Sequence, residues 1–145
     1  MCYYFWILNY MVFVILITNA LYNKQNSYSA YLFTKAVIKK KKIVQNIFFY
    51  RDGVCNANKN IRFDDNEFNL IKSWKKLSIK YHINLYLCIT SAKKRGLIFE
   101  KKNNSYKDNF INYNNKNNII SNYFKITTLS TFTKSILTCD RLVQF

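Results

Sequence analysis

Proline is absent from the 145 residues and glycine occurs only twice, so the usual turn-makers are nearly missing. Turns must then fall to asparagine, the residue next most tolerant of a left-handed backbone. Acidic residues are also scarce. Seven Asp and Glu stand against 23 Lys and Arg, a formal net charge of +16. There is one histidine, His82, and four cysteines, Cys2, Cys55, Cys88 and Cys139, with no C-x-x-C pair among them. That set does not complete a convincing zinc site, and its scatter does not fit the disulfide framework of a small secreted domain. Glycine-rich phosphate loops, paired catalytic carboxylates and H-E-x-x-H are missing too. The expectation is therefore no cofactor, no metal, and free thiols in a reducing, cytoplasmic setting.

What is present is a globular composition. Half of the residues are apolar and 18% are aromatic, which is too hydrophobic for a disordered chain and enough for one core. The basic balance would ordinarily point to nucleic acid or an anionic membrane. However, Lys, Asn, Ile, Tyr and Phe share A/T-rich codons, and drift in base composition raises the charge without selection for binding. The one dense basic run, Lys39-Lys40-Lys41-Lys42, falls where a helix should end, and cations solvate a helix terminus there.

The segment that promises chemistry is Ile83 to Gly96. Ile83-Asn84-Leu85-Tyr86-Leu87 reads as a strand, predicted to be the central one, and Cys88 follows it directly. Thr90 to Arg95 reads as the start of a helix, with Thr90 and Ser91 as hydroxyl caps and Gly96 as its end. A thiol between a strand's carboxyl end and a helix's amino end should point outward, into the crevice where open α/β sheets work. The helix dipole there favours thiolate over thiol, below the free value of about 8.5. The bland alternative is an inert buried cysteine, which packs well.

Around that segment, strands and helices alternate. Tyr3 to Tyr22 is apolar and formally reaches membrane-spanning length. Asn9 and Asn19 interrupt it, no basic residue precedes it, and no small-x-small cleavage site follows. It reads as an apolar extension, Met1 to Tyr10, before a buried strand Val12 to Thr18, with Met11 as a second candidate start. Ser27 would cap a helix through Ile38 whose apolar face carries Tyr28, Leu32, Phe33, Ala36 and Val37. Ile43 to Tyr50 is a second strand and Arg51 to Asn60 a loop. A further helix would begin at Asp64, Asp65 and Glu67, with an inner stripe of Leu70, Trp74, Leu77 and Tyr81. Glu100 to Asn118 reads as a mobile surface loop, with a strand near Ile119-Ile120. Thr128 to Leu137 is a helix and Arg141 to Phe145 a last strand. The pattern predicts an α/β fold, a mainly parallel sheet of about five strands with helices on both faces.

Three segments then resemble a known family. Phe48 to Asn58 (F-F-Y-R-D-G-V-C-N-A-N), Leu87 to Gly96 (L-C-I-T-S-A-K-K-R-G) and Leu137 to Phe145 (L-T-C-D-R-L-V-Q-F) look like the TusD family of DsrE-like sulfur-relay proteins. The likeness runs in order from about Met11 to the last residue, so residues 11–145 are expected to form one domain. It implies a DsrE-like three-layer sandwich, and a persulfide-carrying cysteine at the place of Cys88. It further implies assembly with TusB-like and TusC-like subunits as a heterohexamer with two copies of each. Sulfur would arrive from a TusA-like donor and leave to a TusE-like acceptor, for 2-thiolation of the tRNA wobble uridine. The first loop departs from the family's G-P-x-Y-G-T-Q: here it is Asn19-Ala20-Leu21-Tyr22-Asn23-Lys24-Gln25, with asparagine in place of both glycines.

With that likeness, Cys88 is the expected sulfur carrier, and Tyr22, Gln25, Arg51, Ile89 and Thr90 are candidates to line its pocket and hold an anion. Lys93, Lys94 and Arg95 would add positive potential. Cys139 reads as structural, Cys55 and Cys2 as incidental, and His82 as too far along the strand to act as a base. The alternative function is a scaffold subunit that keeps the fold without carrying sulfur. Specific tRNA binding and a membrane are not expected.

Overall fold

A computed structural model describes residues 10–22, 24–98 and 119–145. Five strands form one sheet: β1 (Val12–Ile17), β2 (Ile43–Phe49), β3 (Asn84–Cys88), β4 (Phe124–Thr127) and β5 (Arg141–Gln144). Their order is β4-β3-β2-β1-β5, and every neighbouring pair is parallel. The helices are α1 (Asn26–Lys39), α2 (Leu70–Tyr81), α3 (Ile89–Lys94) and α4 (Leu129–Thr138). The predicted extension and the predicted 100–118 loop lie outside the described residues, apart from Tyr10.

The alternation of side chains sorts the sheet's two faces. Ile15, Ile17, Ile47, Phe49, Leu85 and Leu87 pair across the register and share one face. Against it lie α1 and α2: Trp74 meets the Phe49 ring edge-on at 5.7 Å and the Tyr31 ring at 5.3 Å. Phe48 and Asn46 point the other way, where Phe132 of α4 tilts onto Phe48 at 4.8 Å and Ser135 accepts from Asn46 at 2.8 Å. Helices on both faces give three layers. Each fully buried Ile, Leu or Phe of these rows contributes about 1.5–3 kcal/mol by leaving water.

Several expectations shift. The central strand is β2, not the one before Cys88, because β2 is apolar on both faces over Ile47-Phe48-Phe49 while β3 begins at Asn84. Ser27 does not cap α1. Gln25 holds the cap position, while Ser27 is buried and donates to the Asn19 carbonyl at 2.7 Å. The buried stripe of α1 is Ser27, Ala30, Thr34 and Val37, whereas Tyr28 and Leu32 are exposed. Thr34 can lie inside because its hydroxyl donates to the Ala30 carbonyl at 2.7 Å.

α2 begins five residues after Asp65. Asn69 caps it by accepting from the Lys72 amide at 2.9 Å. Leu70, Trp74 and Leu77 form the inner stripe, and Tyr81 is exposed. The fourth strand is Phe124–Thr127, and Ile120 makes only an isolated antiparallel bridge with Asn58.

The two outer family-like segments have visible structural work. Phe145 accepts from the Thr18 amide at 2.8 Å and the Thr18 hydroxyl at 2.9 Å. At the other end of β5 the Val12 amide donates to the Asp140 carboxylate at 2.7 Å. The closing segment therefore zips onto β1 at both ends. Residues Arg51–Ala57, expected as a loop, wind into a 3₁₀ helix. No helix among the described residues is long and apolar enough to cross a membrane.

Candidate functional site

In a parallel sheet all carboxyl ends lie along one edge, and here that edge is finished by the 3₁₀ helix and α3. The chain leaves β2 with the Tyr50 amide on the Ile17 carbonyl at 2.9 Å, and then turns at Arg51, whose φ is 50°. Gly53 follows, and its amide donates to the Thr18 carbonyl at 3.1 Å. A Cβ on Gly53 would stand 2.1 Å from the Ile17 carbonyl oxygen, so only glycine lets the backbones approach this closely. Buried Asn56 then ties the loop after β1: its Nδ2 reaches the Asn19 carbonyl at 3.2 Å, the Ser27 hydroxyl at 3.1 Å and the Gly53 carbonyl at 2.8 Å. Asn19 itself does not take the left-handed backbone expected of it. Arg51, Lys41 and His82 do so among the described residues that are not glycine.

Cys88 closes β3 and is the capping residue of α3. Thr90, expected as a cap, lies inside the helix. Register pairs Cys88 with Thr127 of β4, and alternation places both on the α4 face. The Thr127 hydroxyl lies 2.6 Å from that of Thr131, in the first turn of α4. Two helix amino ends thus meet the strand pair that carries the thiol: α3 begins at the next residue, and α4 two residues after Thr127. Their free amides and dipoles make this a favourable place for a negative charge.

The thiol is not presented as expected. Cys88 is 1% exposed and belongs to the hydrophobic core cluster, with no side-chain hydrogen bond capping α3. The outward thiol expected from the strand and helix boundaries is instead packed into the core, on the sheet face opposite α1 and α2.

Of the candidate pocket residues, Ile89 and Thr90 form the first turn of α3, and the Arg51 amide donates to Ser91 of that helix at 3.1 Å. The Arg51 guanidinium lies over the Tyr50 ring. Tyr22 and Gln25 are elsewhere. They line a groove of about 450 Å³ with Tyr28, Glu67 and Phe68, which does not include Cys88. The Tyr22 hydroxyl meets the Glu67 carboxylate at 3.3 Å, and its ionisation is pushed up by partial desolvation, then by the charge and hydrogen bond of Glu67, then by Asp64. The acidic residues expected to start α2 hold this turn instead.

Sequence reasoning missed a second cluster at the same edge. Arg95, just past α3, donates through Nε to Asp52 at 2.7 Å and through Nη1 to the Ser91 carbonyl at 3.4 Å. Cys55 lies within its field. Burial pushes the Cys55 thiol up, Arg95 opposes that, and Asp52 adds to it. The D-G-V-C run and the K-K-R-G run each contributed one partner, but nothing in either spacing announced the pairing. Cys139, at the end of α4, points its sulfur at the Ile136 carbonyl at 3.4 Å, and His82 sits at the amino end of β3, away from this edge.

The DsrE/DsrF-like family matches residues 11–145. A protein of Buchnera aphidicola (from Acyrthosiphon pisum) called Sulfurtransferase TusD is 38% identical over 135 residues, covering 93% of this chain and all of its own length. The Sulfurtransferase TusD of Proteus mirabilis is 33% identical, over 93% of this chain and 98% of its own. Among solved structures, the ychN protein from E. coli superposes with a TM-score of 0.71 at 15% identity, over 93% of this chain and 99% of that one. That likeness concerns the fold, which is the DsrE-like α/β sandwich.

Proposed function

Because this chain belongs to the DsrE/DsrF-like family, we propose that it is a sulfurtransferase subunit carrying sulfur as a persulfide on Cys88. The observation that supports this most is the placing of a lone thiol where two helix amino ends converge, in a chain 38% identical to proteins called Sulfurtransferase TusD. The step needs few groups. The Cys88 thiolate attacks the outer sulfur of a donor persulfide, a new S–S bond forms, and the donor leaves as a thiolate. An acceptor thiolate then attacks the outer sulfur of Cys88-S-SH and restores the Cys88 thiolate. The exchange balances without cofactor or metal. The amide ends of α3 and α4 stabilise the anionic persulfide, and Arg51, Ile89 and Thr90 border its approach.

Transfer requires that the cover over Cys88 be displaced. Ser135 is the only buried residue of α4, so this face of the sheet is lightly packed, and partner subunits docking on it would open the way to the thiol. As the resemblance to the TusD sulfur-relay family implies, the partners would be TusB-like and TusC-like subunits, the donor TusA-like and the acceptor TusE-like. The destination is 2-thiouridine at the tRNA wobble position. The burial of Cys88 favours a second reading, a scaffold subunit that holds its partners without carrying sulfur. Cys88→Ser in the assembled complex separates the two. Loss of sulfur transfer from donor to acceptor supports the carrier, and unchanged transfer identifies the scaffold.

A further inference from the structure

A basic groove lies at the other edge of the sheet from Cys88. α1 and α2 precede β2 and β3, so their carboxyl ends gather at the opposite edge of the sheet from the thiol. Between those ends runs a groove of about 580 Å³. Lys35 and Lys39 of α1 form one rim and Lys76 and Lys80 of α2 the other. Each pair is four residues apart, so its ammonium groups follow one another by about 6 Å along the helix. Tyr31 and Tyr81 stand in the same groove over a floor that includes Leu77, and none of its lining residues is acidic. Among the described residues none of these four lysines pairs with a carboxylate. Two of them lie over aromatic rings instead, Lys35 over Tyr31 at 5.5 Å and Lys80 over Tyr81 at 5.3 Å.

We propose that this groove binds single-stranded nucleic acid, with the lysine rims on successive phosphates and the exposed Tyr81 ring as a stacking surface for an unpaired base. Two parallel rows of ammonium groups with rings between them match a charged backbone that carries flat rings. A planar anionic membrane would not enter a cleft, and an acidic peptide has no use for the tyrosine faces. The groove holds no set of amide or guanidinium groups aimed at base edges. Binding therefore follows charge and stacking and is indifferent to sequence. Part of the excess of lysine, readable as base-composition drift, is thereby given a place and a geometry.

The test is fluorescence anisotropy of the full chain with a labelled single-stranded oligouridylate of about 12 nucleotides, at several salt concentrations. Four neutralised phosphates predict a slope of log affinity against log salt of about −3, from about −0.7 per contact on a single strand. Lys35→Gln with Lys76→Gln should reduce that slope to about half, whereas Lys72→Gln with Lys134→Gln, outside the groove, should leave it near its starting value. Tyr81→Ala should weaken binding at least about fivefold and Tyr81→Phe should not, because stacking needs the ring and not the hydroxyl. Equal losses in both lysine pairs would overturn the proposal in favour of diffuse charge. So would displacement of the probe by poly-glutamate, by anionic vesicles or by duplex RNA as readily as by the unlabelled strand.

Discussion

Replacing Gly53 by alanine tests how the carboxyl edge of the sheet is built. The new methyl would fall 2.1 Å from the Ile17 carbonyl oxygen and 2.8 Å from its carbon, both backbone atoms in the most buried strand pair. Ordinary contact begins near 3.4 Å, so the 3₁₀ helix must retreat by more than an ångström. Retreat strains two hydrogen bonds, Gly53 to the Thr18 carbonyl at 3.1 Å and Tyr50 to the Ile17 carbonyl at 2.9 Å. Overpacking costs about 1–3 kcal/mol and each weakened bond up to about 1 kcal/mol, which gives roughly 1–5 kcal/mol together. For a domain of this size that lowers the melting temperature by roughly 3–20 °C. Gly96→Ala provides the contrast. Gly96 has φ +65° and nothing within 4 Å of an added methyl, so only the backbone penalty of about 1–2 kcal/mol applies. Thermal and urea unfolding followed by circular dichroism measure both. Gly53→Ala melting no lower than Gly96→Ala would refute the close-approach argument.

Two further predictions concern the thiols. In the isolated native chain, iodoacetamide should label Cys88 at least about tenfold more slowly than half-exposed Cys55, and denaturant should abolish the difference, as read by peptide mass spectrometry. Equal native rates would contradict the burial of Cys88. Burial, with Asp52 adding and Arg95 opposing, holds the Cys55 thiol above its ordinary value. The unfolded chain then ionises first, so the stability from Cys55 is complete below the ordinary thiol value and is lost as pH rises through the folded one. Urea midpoints of the native chain should fall over that alkaline window, and Cys55→Ala should flatten the fall. A parallel decline in both would remove Cys55 as its source.

The sheet was largely legible because its strands announce themselves. Val12–Ile17 and Ile43–Phe49 are near-continuous apolar runs, the signature of strands covered on both faces. β4 escaped because Phe124–Thr127 is short and carries Lys125, whose ammonium donates to Asn84 on the neighbouring strand at 2.7 Å. The start of α2 was misplaced because Asp64, Asp65 and Glu67 imitate a helix amino end. Glu67 in fact closes a turn onto the Asp64 amide at 3.3 Å and meets Tyr22, while Asn69 caps the helix. The strand-to-helix setting of Cys88 was readable from local spacing. Its burial was not, since that depends on segments distant in the chain, among them β4, which pairs with β3 beside it. Tyr22 and Gln25 were expected beside Cys88 because carboxyl ends of neighbouring strands converge, but β2 lies between β1 and β3. In space, Tyr22 turns towards Glu67.

Peptide mass spectrometry of the chain assembled with TusB-like and TusC-like subunits, after exposure to a persulfide-bearing TusA-like donor, asks the question most directly. The account predicts one added sulfur atom on the peptide that contains Cys88, removable by a thiol acceptor, with the peptides of Cys55 and Cys139 unmodified. Sulfur found on Cys55 or Cys139 while Cys88 stays bare would contradict it.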